Sequence, residues 1–355
     1  MVMIKTLSAG PSENMKRAFI LSDCEPPLCE EKPYALLTAN VTKGHHFIAQ
    51  TEQRQHAFNR DVNPQNQNVY RLPLSLFHKP YKGKAESVNI ENNLEVNNLY
   101  TLSFVEGSGG SQYNLESWFS RHESGYEEAT NTLRTIRTGR QNVPESMWRI
   151  LRLKLLGIFR NPYNHNTSFV HGLHQSVLGQ LPEISSEFVG LIEQRPQPRL
   201  EKILTAFEFT PNSYTRWLAN LYGMLSEGVM QPSLFERLFA ALFADPGAVK
   251  IELYCYTKES DCCLFADTGF CTQVSQAQFS IGVSIASDMF AIVHLQRARW
   301  KALRDNFADH VPKLSELDMT VIENNQQQRA TFNRLCIRNA REAVFGRSNQ
   351  RADYF

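Results

Sequence analysis

Asp245-Pro-Gly-Ala-Val-Lys-Ile-Glu-Leu-Tyr-Cys255 is the stretch where the chain changes its hydrophobic period. From Val249 onward apolar and polar residues alternate, the pattern of a strand with one buried face. Residues 262–266, 279–285 and 290–295 read as further strands, bounded by turn residues. N-terminal to Asp245-Pro-Gly247 the spacing is helical. Asn114 can cap a run holding Leu115, Trp118, Phe119, His122, Tyr126, Ala129 and Leu133, and Pro144 opens a second run that Asn161-Pro162 stops. Helices are expected over 200–207, 214–226 and 233–243, punctuated by Pro211 and Gln231-Pro232, and one long helix near 316–345 closes the chain.

The N-terminal part is rich in Asn, Gln and Pro, with strands expected at 34–41 and 68–74 and a loop at 61–68. Gly107-Ser-Gly-Gly-Ser111 is the clear flexible tract. The expected class is therefore α+β: a mostly helical middle region, with N-terminal and C-terminal strands forming a shared, largely antiparallel sheet. Three regions follow, 1–110, 111–247 and 248–355, compatible with one composite domain.

The 355 residues carry 37 Lys+Arg against 36 Asp+Glu, and 42% are hydrophobic. This is ordinary globular composition. No run approaches the ~18 apolar residues of a membrane-spanning helix, and residues 1–19 lack the apolar core of a secretory signal. An odd count of seven cysteines without such a signal predicts reduced thiols in the cytoplasm and no membrane partner. Cys24 and Cys29 lack a matching second pair, which speaks against zinc.

The densest chemistry is Lys43-Gly-His-His-Phe-Ile-Ala-Gln-Thr-Glu-Gln-Arg54. It offers a base, a carboxylate and a cation within twelve residues. Paired histidines at a strand end also open the ββα-metal nucleases, where one histidine activates water and another holds a divalent ion on the scissile phosphate. The remaining pieces would be Asn68 with His78, or Asn164 with His171 or His174. The opposing reading is that the histidines bond backbone carbonyls. There is no phosphate-binding glycine loop, no nucleophile elbow and no zinc-protease helix.

Charge is uneven along the chain. Seven basic side chains face one acidic between 134 and 160, and six face two between 329 and 353. Placed on a helix, Arg334, Arg338 and Arg341 leave one side, opposite Phe332 and Leu335. Such a stripe suits phosphate contact, though a solvated face has the same pattern.

These segments together resemble the bacterial domain-of-unknown-function family forty-two thirty-eight. His45-His46-Phe47-Ile48-Ala49-Gln50 stands for its His-x-Phe-Ile-Pro-Gln-like opening, followed by Arg54 and Phe58, Asn68-Val-Tyr70 and Asn98-Leu-Tyr100. Leu115-Glu116 and Glu123 match its glutamate-bearing helix, and Arg160-Asn161-Pro162 its Arg-x-Pro. Ala266-Asp267-Thr268-Gly269 and Asn333, Asn339 and Ala340 match its last motifs. Ala49 and Gly269 replace two family prolines. The resemblance implies that the polar motif residues are parts of a site, His46 and Asp267 among them.

Two functions are expected from these readings. The first is a metal-dependent nuclease or phosphodiesterase, by analogy a toxin or phage-defence effector. Its catalytic residues would be His46, Glu52 and Asp267, its Mg²⁺ or Mn²⁺ ligands His45, His46 and Asp267, and its phosphate contacts Arg54, Arg160, Arg334, Arg338 and Arg341. The second is a non-catalytic subunit that binds nucleic acid or a protein partner, including another copy of itself.

Overall fold

The computed structural model describes residues 42–104, 112–167, 170, 200–225, 233–296 and 316–355. Its first elements are β1 (Gly44–His46), α1 (Gln50–Arg54), β2 (Asn68–Pro73), β3 (Glu86–Asn89), β4 (Glu95–Asn97), β5 (Thr101–Phe104) and β6 (Gln112–Asn114). The middle holds α2 (Glu116–Glu123), α3 (Tyr126–Arg134), β7 (Gly139–Asn142), α4 (Glu145–Arg160), α5 (Leu200–Phe207), α6 (Pro211–Leu225) and α7 (Leu234–Leu242). Then come β8 (Val249–Cys255), β9 (Phe265–Ala266), β10 (Cys271–Val274), β11 (Gln278–Ala286), β12 (Met289–Gln296), β13 (Asp318–Glu323), α8 (Gln326–Asn339) and β14 (Ala343–Gly346). The class is α+β.

The strands divide among several sheets instead of forming one. The largest runs β10-β11-β12-β8-β13-β7, antiparallel except for the parallel β8–β13 pair. A second runs β3-β2-β14-β9, so two C-terminal strands pair with or beside N-terminal ones there. Two-stranded ladders β1-β4 and β5-β6 complete the set. The predicted strand at 34–41 and the histidines His171 and His174 lie outside the described residues.

The predicted long C-terminal helix is corrected. Asp318-Met-Thr-Val-Ile-Glu323 alternates and is β-branched, and it pairs with both β8 and β7. Asn324 then takes a left-handed turn (φ 55°), and the Asn325 side chain caps α8 by accepting from the Gln328 N–H. The helix ends at Asn339, and Ala343–Gly346 is again extended. A single hydrophobic period read across the whole segment hides these two reversals.

The helical run after Asn114 is likewise two helices. They break at Gly125, whose φ of +76° suits only glycine without strain. A Cβ there would also stand 2.0 Å from an Arg149 guanidinium nitrogen.

α4 runs through the middle of the molecule. Leu151, Leu155 and Ile158 line one small cavity with Leu242 of α7, the following Phe243, and Ile281, Val283, Val293 and Leu295 of the large sheet. Those strand residues share one face by the two-residue period, so their neighbours Ser280 and His294 stand on the other. α4 is buried nearly all round, which is unusual for a helix that also carries Lys154 and Arg160. Both cations are buried, and what neutralises each one sets up the candidate site.

Candidate functional site

The two adjacent histidines have different fates, because strand side chains alternate. His45 is wholly buried and stacks on Tyr100, ring centroids 5.5 Å apart. Its Nδ1 accepts from the Tyr100 backbone N–H (2.9 Å) and its Nε2 donates to the Thr42 carbonyl (3.1 Å). Burial pushes its titration down to about 4. With both nitrogens engaged, His45 has no lone pair for a metal, and its assignment as a ligand is corrected.

His46 points the other way. Its Nδ1–H donates to the Asn93 carbonyl (3.0 Å), which leaves Nε2 as the acceptor. The Gln50 amide donates to Nε2 at 2.7 Å, while Gln50 Oε1 accepts from Arg54 at 2.7 Å. Glu95 faces His46 across the β1–β4 pair, with Oε2 3.4 Å from Nε2. A Cβ on Gly44 would sit 2.4 Å from that carboxylate, so the glycine makes its room. Burial lowers the His46 titration, Arg160 and Arg54 adding to the effect while the Asn93 carbonyl and Glu123 oppose it. His46 is therefore a neutral base at pH 7.

Glu52 and Asp267 do not join it. Glu52 is buried in an ion pair with Lys154, the side chains only 5% and 2% exposed. Asp267 is buried too, and its carboxylate accepts the backbone N–H groups of Arg341, Glu342 and Ala343 at 2.8, 2.6 and 3.0 Å. It shapes the turn from α8 into β14. Both catalytic assignments, and that of Asp267 as a metal ligand, are corrected on this ground: Glu52 is buried against the Lys154 cation and Asp267 already holds three backbone N–H groups, so both carboxylates serve the interior of the fold. The other motif amides serve similarly. Asn161 donates to the Asp267 carbonyl, Asn333 bridges residues 262, 264 and 354, and Asn339 accepts from Thr272.

Arg160 does come to His46. It is 1% exposed, pairs with Glu123 (2.6 Å) and lies 4.8 Å from the Phe119 ring centroid. Tyr100 donates its hydroxyl proton to the Arg160 carbonyl at 2.9 Å. Glu116 at the start of α2 completes the group. Burial drives its carboxyl up to about 8, helped by Glu123 and Glu95 and opposed by Arg160. Glu95 is raised as well, by burial first and by Glu91 second. Glu116 thus holds its proton at neutral pH. Arg160 Nε, Arg54 Nε and Glu116 Oε1 are buried with no hydrogen-bond partner among the described residues. Such a cluster of unanswered polar atoms is rare in a finished core.

The basic runs are less free than their sequence implies. Arg134 pairs with Asp288, Arg140 with Asp318, and Arg152 with Glu236. Arg334 and Arg338 are exposed on α8, with Arg334 lying over the Phe355 ring. Arg341 is exposed but stands beyond the helix end, which corrects the three-residue stripe to two helical arginines and one in the following turn. His56 is fully buried and contacts Ser284 (3.3 Å).

Sequence reading alone had selected His46, Arg54 and Arg160 but not Gln50 or Glu95. The signal for Gln50 was its position four residues after His46. Glu95 had none, since only strand pairing brings it near. Glu116 and Glu123 stood in the family-like helix without an assigned role. Among the described residues no group of three or more His, Cys, Asp or Glu side chains could hold a metal, and no helix is long and apolar enough to cross a membrane. No family model, no curated protein and no solved structure matches the chain.

Proposed function

We propose that the protein is a phosphodiesterase acting on nucleic acid by general acid–base catalysis at the His46–Glu116 cluster. One observation carries this reading. A histidine held neutral and a carboxyl held protonated share Arg160 and Glu123 as charged neighbours, and their titrations are pushed to opposite sides of neutrality. That separation assigns His46 as base and Glu116 as acid. Arg54 and Arg160 supply the positive charge that a phosphate needs as its oxygens gain charge. The Gln50 amide, bonded to His46 Nε2 and to Arg54, holds the one lone pair of that nitrogen and would have to leave it to a substrate hydroxyl before His46 acts as base.

RNA is the substrate that such a pair can cleave unaided. His46 would take the proton of the 2′-hydroxyl, the 2′-oxygen would attack the adjacent phosphorus, and Glu116 would protonate the departing 5′-oxygen. The described residues give His46 and Glu95 as two donors only, so the Mg²⁺ or Mn²⁺ dependence expected from the sequence enters as an arm of the test and not as a step. Purified protein is incubated with RNA and with plasmid DNA, each with Mg²⁺, with Mn²⁺ and with chelator, beside His46→Ala. Cleavage of RNA in chelator, ending in cyclic phosphate and lost in His46→Ala, supports the proposal. Cleavage unaffected by His46→Ala rejects it.

The exposed Arg334, Arg338 and Arg341 favour a second reading, a nucleic-acid- or partner-binding subunit whose histidines are structural. Tight binding of RNA or DNA without turnover, weakened by loss of these arginines, is its signature.

A further inference from the structure

On the face of the large sheet turned away from α4, a second constellation forms that the sequence spacing does not show. Ser280 on β11 and His294 on β12 are directly opposed across the antiparallel pair. Ser280 Oγ lies 2.9 Å from His294 Nδ1. On the other side of His294, Glu252 on β8 places Oε2 3.2 Å from Nε2. Three strands thus line up hydroxyl, imidazole and carboxylate in one hydrogen-bonded row.

The chemistry of the row has a direction. Nε2–H donates to Glu252, which leaves Nδ1 to accept the Ser280 proton. Glu252 stays ionised, its carboxyl drawn down to about 2 by its hydrogen bond to His294 and by Lys250 and Tyr254. Tyr254 donates to the same Oε2 at 2.7 Å and Lys250 pairs with Oε1, so the carboxylate is anchored. His294 is 20% and Glu252 13% exposed. His294 lines a groove of about 490 Å³ together with Gln278, Lys250, Arg140 and Asp318. The Gln278 amide reaches both Ser280 Oγ (3.2 Å) and His294 Nδ1.

The geometry points to a second catalytic centre: Ser280 as nucleophile and His294 as base, positioned by Glu252, acting on a carboxylic ester bound in this groove. Ser280 Oγ bonds to the acyl carbon while its proton passes to Nδ1 of His294. The ester oxygen then leaves as an alcohol with that proton. Water, deprotonated by the same Nδ1, attacks the acyl-serine and releases the acid and free Ser280. The Gln278 amide, bonded to His294 Nδ1 and Ser280 Oγ without substrate, would turn to the carbonyl oxygen as it gains charge and so free Nδ1 for the Ser280 proton. No nucleophile elbow is needed, because strand register does the aligning.

The test is covalent labelling of the full chain with a fluorophosphonate probe, read by intact mass and peptide mapping, with p-nitrophenyl acetate hydrolysis alongside. The expected result is one adduct on Ser280, absent in Ser280→Ala and slowed at least tenfold in His294→Gln, with melting temperatures unchanged. Glu252→Gln should move the midpoint of the labelling–pH curve downward, since an imidazolium loses its carboxylate partner. A merely structural Glu252 would leave that curve in place. The other groups facing His294 (Lys250 and Tyr254 on β8, Gln278 on β11, Asp318 on β13, Arg140 on β7) remain in every variant. No adduct, an adduct elsewhere, or equal labelling of His294→Gln overturns the proposal.

Discussion

Lys154 and Arg160 leave the same helix six residues apart, both are buried, and each pairs with a carboxylate. The Lys154–Glu52 pair is closed: one cation, one anion, 2% and 5% exposed. The Arg160–Glu123 pair is open. Glu116 and His46 crowd it, Glu123 is 23% exposed, and Arg160 Nε has no partner among the described residues. Two buried cations on one helix thus do two things. Where donors and acceptors balance, the pair holds elements together. Where carboxylates outnumber the cation, one of them keeps a proton, and a proton held near neutrality can be transferred.

The sharpest way to break this contrast is to remove one partner of the closed pair. Lys154→Ala should destabilise the fold by ~3–5 kcal/mol, because Glu52 is left charged and buried. A Lys154→Met/Glu52→Leu double variant should recover most of that loss. Urea unfolding of the three proteins measures both. If Lys154→Ala costs under about 1 kcal/mol, the pair is not closed in the sense argued above.

The open cluster should respond in activity and not in folding. His46→Ala and Glu116→Gln are each expected to lower phosphodiester cleavage by roughly 10²–10⁴-fold, the usual worth of a positioned acid or base, with circular dichroism unchanged. The pH–rate profile should be bell-shaped. Activity rises as His46 loses its proton below its ordinary value of 6.5 and falls as Glu116 ionises at about 8. In Glu116→Gln the alkaline limb should disappear; a persistent limb near pH 8 assigns it to another group.

A smaller effect reads the same cluster through stability. Glu116 has a folded-state titration raised above its unfolded value of 4.5. Below that value both states are protonated and the shift has no effect. As pH rises toward about 8 the unfolded chain ionises while the folded one resists, so stability falls. Glu116→Gln removes this penalty and should raise the melting temperature at pH 8, with no gain at pH 4. A uniform shift at both pH values contradicts the assignment.

The smallest expected effect is at the exposed arginines. Arg334→Gln, Arg338→Gln and Arg341→Gln together should leave the melting temperature within a degree or two. They should also weaken RNA or DNA binding and flatten its salt dependence, since each lost phosphate contact releases one condensed counterion fewer. Unchanged binding at low salt makes them a solvated face.

Much of the fold was legible in the sequence. The period change at Gly247, the helix at 200–207 and the stop at Asn161-Pro162 appear where patterning puts them, since each depends on residues a few positions apart, while Gln231-Pro232 lies outside the described residues. The reading failed over 316–345, where two short strands and a helix share one apolar run. It failed also at Gly125, where a left-handed residue interrupts a continuous helical pattern. Among the polar residues the pattern names both His45 and His46 as metal ligands, but spacing could not show that the two rings are held differently. One backbone N–H, that of Tyr100, fifty-five residues on, engages the His45 ring nitrogen.

By itself, then, the sequence determined the alternation and spacing of the elements, the α+β class and the short list of groups able to do chemistry. Only the tertiary structure decided which of those groups are already engaged. Glu52 and Asp267 look as reactive on paper as Glu95 and Glu116. The first is buried against Lys154 and the second accepts three backbone N–H groups, whereas Glu95 faces His46 and Glu116 is left with a proton. The physical reason is that burial and hydrogen-bond saturation are set by partners tens to hundreds of residues away, and those partners meet only when strands pair and helices pack.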